Sequence, residues 1–343
     1  MRQILGNHRG MALLLVISLV SVLAIVTLQF NREMRQEYVA SASLRNSIRL
    51  GVMIRSGITL AEQILLKDQE ENTFDSLHDS WALLSGEDLS LLFDQQSLEL
   101  AVIDEGGKFQ INAMVTRKKK GQVVSNGNDE EQVQHEIDVR NILWRLLRAE
   151  PYLVEDGDAR EIIDALIDWM DSGDGDGEEE YGAEDSYYQS LEPPYSCKNG
   201  PVESIAELLL VKGITPELLY GTDERPPLAP LLTASASDGK ININTADALL
   251  LQALNQGMDK ETAEAMLAYR EDENNRELLA DTGWYQNVPS FPGDIELQKD
   301  LIKTVSNFFR IEASAGSDTE KKTVAAIVER QNKAISLLRW DTL

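Results

Sequence analysis

The chain has 343 residues, 43% of them hydrophobic, which supports one large core or two to three modest ones and excludes a disordered polymer. Its 32 Lys and Arg against 58 Asp and Glu leave a formal charge of −26, a surface that repels nucleic acid and anionic headgroups. Cys197 is the single cysteine, so no disulfide within the chain holds the fold.

The N-terminal stretch reads "NHRGMALLLVISLVSVLAIVTLQF". Residues 11–30 form an apolar run of about 20 residues, one bilayer thickness of helix. Arg2, His8 and Arg9 precede it, and the mixed flank Arg32, Glu33, Arg35 and Glu37 follows, so the positive-inside rule sets the N-terminus in the cytoplasm and the bulk of the chain outside. A secretory signal places its small-residue cleavage site after the apolar run, whereas Gly10 comes before it. Cleavage after Gly10 would remove the charged leader and keep the membrane helix; a plain signal anchor is the alternative. Leu44, Ile48, Ile54, Ile58, Ala61 and Leu65 recur at helical steps and predict that one amphipathic helix continues to about Lys67. Gly51 and Gly57 weaken it locally.

Beyond a short helical patch at Trp81 to Leu84, "LELAVIDEGGKFQINAMV" reads as a β-hairpin turning across Gly106 and Gly107. Its wording returns: "GGKFQINAMV" and "DGKININTA" are each followed by helical sequence, an internal duplication of a strand-plus-helices unit. Residues 117–131 have loop composition, and "YGTDERPPLAP" marks a second break. Three β-prone runs close the chain, the last two joined by a turn at Asn332, and predict an antiparallel meander packed on the stalk helix.

Residues 168–185, "DWMDSGDGDGEEEYGAED", hold nine carboxylates and no Lys or Arg. Like charges at that density need a cation among them, and hard oxygens with interspersed Gly suit Ca²⁺. The spacing is not that of an EF-hand, since Gly173 and Gly175 fall where the next carboxylates belong. A solvated acidic loop is the alternative, but Tyr181, Tyr187, Tyr188 and Tyr195 give the segment rings to bury.

"ININTADALLLQALNQGMDKETAEAMLAYRE" looks like a helix-hairpin-helix segment, the competing reading being a membrane-anchored periplasmic DNA-binding protein of the uptake type. Between Lys240 and Glu273 stand three basic and seven acidic residues, the wrong balance for phosphate. Scaffold use fits better, with Asn242 and Asn244 fixing the strand-to-helix turn and Thr245 as N-cap. Catalysis finds no constellation: His8, His78 and His135 are scattered, and His135-Glu136 lacks a second His because Val139 stands there.

Together the leader "HRGMALLLVISLV", the loop "LIDWMD…GAEDSYY", "PPYSCKNGPVESIAELLLVKGITPELL" and "INTADALLLQAL" resemble the minor pseudopilin K family (general secretion pathway protein K) of bacterial type II secretion systems, in the right order over nearly the whole chain. The resemblance implies an α+β pseudopilin fold with a long N-terminal transmembrane helix, a small antiparallel sheet and a large inserted α-helical domain. Its expected divisions are a leader at 1–10, the stalk helix at 11–67, the first part of the head at 68–116, the inserted domain at 117–221, and the second helical unit with the C-terminal strands at 222–343. It further implies a non-enzymatic subunit of the inner membrane with a periplasmic head. A prepilin peptidase would cut after Gly10 and methylate Met11; Leu15 stands where most pilins carry the fifth-position Glu of the mature chain. Such a subunit caps the pseudopilus tip with minor pseudopilins I and J, above H, on the inner-membrane secretion platform, and supports protein export across the outer membrane. The family's calcium motif carries over onto Asp171, Glu184 and Asp185, with the second loop aspartate displaced to Asp174. Asp176, Glu178 and Glu180 are further ligand candidates, and Asp168 can join from one helical turn before Asp171.

Overall fold

In the computed structural model, residues 8–85, 97–115, 128–171, 179–317 and 320–343 are described. The elements in chain order are α1 (His8–Glu71), β1 (Ser97–Asp104), β2 (Phe109–Gln110), α2 (Asn128–Arg148), α3 (Asp156–Met170), α4 (Asp185–Tyr188), α5 (Pro216–Tyr220), β3 (Leu232–Thr233), β4 (Ile241–Asn242), α6 (Ala248–Ala253), α7 (Lys260–Glu271), β5 (Ile302–Lys303), β6 (Phe308–Ser317), β7 (Glu320–Gln331) and β8 (Ala334–Thr342).

Helix α1 runs 64 residues, to Glu71 rather than stopping near Lys67. Residues 10–41 are exposed throughout, whereas Leu50, Met53, Ile54, Ile58, Ala61 and Leu65 are buried. Leu44 and Ile48, expected on the same apolar face, are instead 63% and 60% exposed. At about 100° per residue they sit roughly a quarter and a third of a turn from Ile54, at the rim of the packed face, where Ile48 lines an open groove with Lys322 and Trp340.

That sheet has strand order β1-β6-β7-β8, all antiparallel. Leu98, Leu100 and Val102 of β1, Phe309, Ile311 and Ala313 of β6, and Val324, Ala326 and Val328 of β7 alternate onto the face that packs on α1. Trp81 seals one end, edge-on to Phe309 at 5.3 Å between ring centroids. Gly57, a helix weakener by propensity, sits where a Cβ would come within 2.8 Å of Leu100, so its bare Cα lets strand and helix close up. Both Asn332 and Lys333 take positive φ, 53° and 61°, the tight hairpin turn that joins β7 to β8. The α+β arrangement and the terminal meander match the expectation.

The hairpin at Gly106 and Gly107 does not form. β1 pairs with β6, while β2 pairs in parallel with β3 in a separate two-stranded ladder. The glycines serve close approach instead: a Cβ on Gly106 would lie 2.2 Å from Ser306 Oγ, and one on Gly107 would lie 2.4 Å from Thr245 Oγ1. The duplicated wording has a structural counterpart. β2 and β4 each pair in parallel with a two-residue partner, β3 and β5, and each precedes two helices. Asn112 donates to the Val202 and Ala234 carbonyls, and the matching Asn244 donates to those of Asp75 and Leu279. Thr245 is not the N-cap of α6. Asp247 holds that place by accepting from Leu249 N, and Thr245 Oγ1 donates instead to Asp104 Oδ2 at 2.6 Å. The loop read over 117–131 lies outside the described residues as far as 127, and from Asn128 the chain is already α2.

Where α1, the sheet and the second helical unit meet, four carboxylates are buried: Asp68, Asp75, Asp79 and Asp104. Arg330 of β7 pairs with Asp68 at 3.1 Å and Asp75 at 2.5 Å, and Arg276 pairs with Asp79 at 3.0 Å. Asp104 is satisfied by neutral donors from Gly106, Asn242, Thr245 and Ser306. Burial drives the Asp75 carboxyl from the ordinary 3.8 up to about 7; Asp104 adds to the rise, while Arg330 and the Ser306 N–H oppose it. The folded chain therefore keeps a proton on Asp75 that the unfolded chain releases above pH ~4. This group's contribution is complete below pH ~4 and fades as pH rises through about 7. Urea unfolding at pH 5 and pH 7.5 should show wild type gaining stability at the lower pH relative to Asp75→Asn; a pH-independent difference contradicts the assignment.

Candidate metal centre and membrane helix

Asp164, Asp168 and Asp171 recur along the end of α3 at steps of four and three, one stripe of its surface. After residues 172–178 the chain returns along this stripe. Glu179 N donates to Asp168 Oδ1 at 3.1 Å, and Tyr181 N donates to Asp164 Oδ2 at 3.2 Å. The return leads Glu184 back, so that Asp168, Asp171 and Glu184 offer oxygens within 4.8 Å of one another.

Asp168 is fully buried, and its Oδ2 has no hydrogen-bond partner. That oxygen points at Gly182, where a Cβ would lie 1.8 Å away. Burial pushes the Asp168 carboxyl up to about 6, opposed by backbone N–H groups and reinforced by Asp171 and Glu179. Glu184 is also raised, first by burial and then by Asp168 and Asp171. In both groups burial is the larger cause, and the neighbouring carboxylates add to it. The other buried acidic group, Asp68, Asp75 and Asp79, is different because arginines stand within it.

A bare carboxylate oxygen, two neighbouring carboxylates and a glycine that leaves room between them fit a hard cation of the calcium type. Asp168, Asp171 and Glu184 would hold the ion, which would supply the missing positive charge. Asp185 is placed beside this group, at the start of α4, where its Oδ1 accepts from Cys197 N at 2.7 Å. Glu180 also stands outside the three and bonds the Tyr181 hydroxyl. Asp174, Asp176 and Glu178 lie outside the described residues. Rings of Trp169, Tyr188 and Tyr195 pack edge-on or tilted at 5.1 to 6.3 Å behind the site. Cys197 is buried there, its thiol pushed up to about 11 and bonded to the Asp168 carbonyl. Asp164 and Gly182 escaped the sequence reading. The Asp164 stripe was available in "IIDALIDWMD", whereas nothing local marks Gly182.

Among the described residues one helix, α1 from Gly10, is long and apolar enough to cross a membrane. Leu15 lies on its apolar stretch, 69% exposed. The helix-hairpin-helix between α6 and α7 has its hairpin amides engaged: Gly257 N donates to Asn255 Oδ1 and Met258 N to Asn255 O. Those are the groups a phosphate would need.

A greasy helix that becomes the spine of an antiparallel sheet, with helical units carrying an acidic cage beside it, defines a pseudopilin-type subunit. The family profile described as type II secretion system (T2SS), protein K matches residues 107–223, and a second profile of the same description matches 241–305. Type II secretion system protein K of Aeromonas hydrophila is 28% identical over 340 residues, covering 96% of each chain. The protein K of Klebsiella pneumoniae is 25% identical over 301 residues, 85% of this chain and 82% of the relative. Among solved structures, a chain in the crystal structure of the GspK-GspI-GspJ complex from enterotoxigenic Escherichia coli superposes with a TM-score of 0.62 at 18% identity, over 88% of this chain and 98% of that one. The chain belongs to the protein K family of type II secretion systems, the minor pseudopilins K.

Proposed function

We propose that this minor pseudopilin caps the tip of the type II secretion pseudopilus, with minor pseudopilins I and J beside it and H below. The role is structural, not catalytic, and serves pseudopilus assembly and export across the outer membrane. The observation that carries the capping is Leu15. A carboxylate inside a bilayer is costly and is kept where a partner pairs with it. An apolar residue at the fifth position of the mature helix suits a subunit with no neighbour's N-terminal amine stacked above it. The solved complex that this fold resembles is that of GspK with GspI and GspJ, which supports the choice of partners.

In this reading α1 anchors the chain in the inner membrane with the head in the periplasm. A prepilin peptidase cuts after Gly10 and methylates Met11, and the mature chain works with the inner-membrane secretion platform. The inserted unit binds calcium through Asp168, Asp171 and Glu184, joined by oxygens from Asp185, Glu180 or the loop carboxylates at 174, 176 and 178. Co-expression with an active prepilin peptidase should yield a chain that begins at N-methylated Met11 by mass spectrometry; a chain retaining residues 1–10 contradicts the reading. Leu15→Glu should leave secretion unchanged or reduce it, and improved pseudopilus assembly would count against the capping role.

A further inference from the structure

Lys212 follows the 3-10 turns at Ile205–Leu210 and stands one residue before Gly213, whose φ is +82°. A Cβ on Gly213 would lie 2.9 Å from Ile162 of α3, so the turn that carries Lys212 is seated directly on that helix. The ammonium donates to two consecutive carbonyls of the return segment, Tyr181 O and Gly182 O, each at 3.2 Å. It also lies 3.6 Å from Glu161 Oε1 on α3 and 5.3 Å from the centre of the Tyr187 ring on α4. Its own backbone N–H donates to the Tyr188 hydroxyl. One side chain thus ties together the three pieces that bring the cage carboxylates into register: α3, held in its first half at Glu161, the return segment and α4.

We propose that Lys212 is the positioning residue of the cation site. This rests on the calcium reading above. The ammonium fixes the Tyr181 and Gly182 carbonyls outside the cage, which turns the bare Cα of Gly182 toward Asp168 Oδ2 and sets Glu184, two residues on, facing Asp168 and Asp171. Its charge is spent on those carbonyls, on Glu161 and on the Tyr187 face, so it organises the site without replacing the ion. Outer partners that hold metal ligands in place contribute strongly to affinity, and their loss weakens binding by about 10- to 100-fold.

The test uses the full chain in detergent, with wild type, Lys212→Met and Lys212→Arg compared. Calcium titration calorimetry should give binding at least about tenfold weaker for the Met variant, and the Arg variant, which can still donate to both carbonyls, should recover most of it. Equal or tighter binding by the Met variant would overturn the proposal, because the ammonium would then be neutral toward the ion or merely repel it. A second readout needs no ion: in metal-free protein the amides of residues 179–184 should exchange with deuterium faster in Lys212→Met than in wild type. Unchanged exchange overturns the positioning role whether or not calcium binds. Wild type that takes up no calcium while the exchange still differs fails the metal reading alone.

Discussion

Arg330→Ala should lower the unfolding free energy by about 3–5 kcal/mol, the range for removing one partner of a buried ion pair. The guanidinium is nearly inaccessible. It donates to the Leu65 carbonyl and Asp68 at the end of α1, to Asp75 in the segment that follows, and to the Ser306 carbonyl ahead of β6, and it lies 4.7 Å over the Phe309 ring. Above pH ~7, where Asp75 has given up its proton, truncation leaves two carboxylates in a dry site that already holds Asp79 and Asp104. The desolvation of these groups is already committed, so the lost cation weighs more than the volume lost. Guanidinium unfolding of the purified protein reads the effect directly. A triple variant, Arg330→Met with Asp68→Asn and Asp75→Asn, removes the stranded charges and should recover part of the loss. A loss below about 1 kcal/mol for Arg330→Ala would mean that the junction between stalk and head is held by the apolar contacts of α1 alone.

Gly182→Ala should abolish calcium-dependent stabilisation. Wild type at a thousandfold excess of calcium over its dissociation constant gains about 4 kcal/mol by mass action, and chelator takes it away. An added methyl at position 182 would occupy the space next to Asp168 Oδ2, only 1.8 Å from that oxygen, so either the carboxylate or the return segment must move. Thermal melting with calcium and with chelator should therefore separate for wild type and coincide for the variant. Retention of the full calcium shift by Gly182→Ala would show that the ion is bound elsewhere.

How far the sequence discloses this molecule depends on the range of the interactions. The strands after Phe308 and the turn at Asn332 were legible because alternation and turn chemistry are local. The membrane run and the acidic loop were legible for the same reason. Gly106 and Gly107 misled: two glycines between apolar runs look like a hairpin, but here they admit Ser306 and Thr245, about 200 and 140 residues on, and no local pattern encodes that. Leu44 and Ile48 misled differently, since steps that are near-multiples of a helical turn drift off the face over ten residues. Thr245 lost its capping role to Asp247 because a buried carboxylate, Asp104, competed for its hydroxyl. At the metal centre the carboxylates on α3 could be read as a stripe, whereas Lys212 reaches the site only through the tertiary fold.

Under the proposed function this chain is the capping member of a minor-pseudopilin assembly. Co-expression of its head with the periplasmic heads of the minor pseudopilins I and J of the same secretion system, followed by size-exclusion chromatography with light scattering, tests it most directly. A single species with one copy of each of the three subunits is the predicted result. Three separately eluting proteins, or a complex of I and J that forms without this chain and does not take it up, would contradict it.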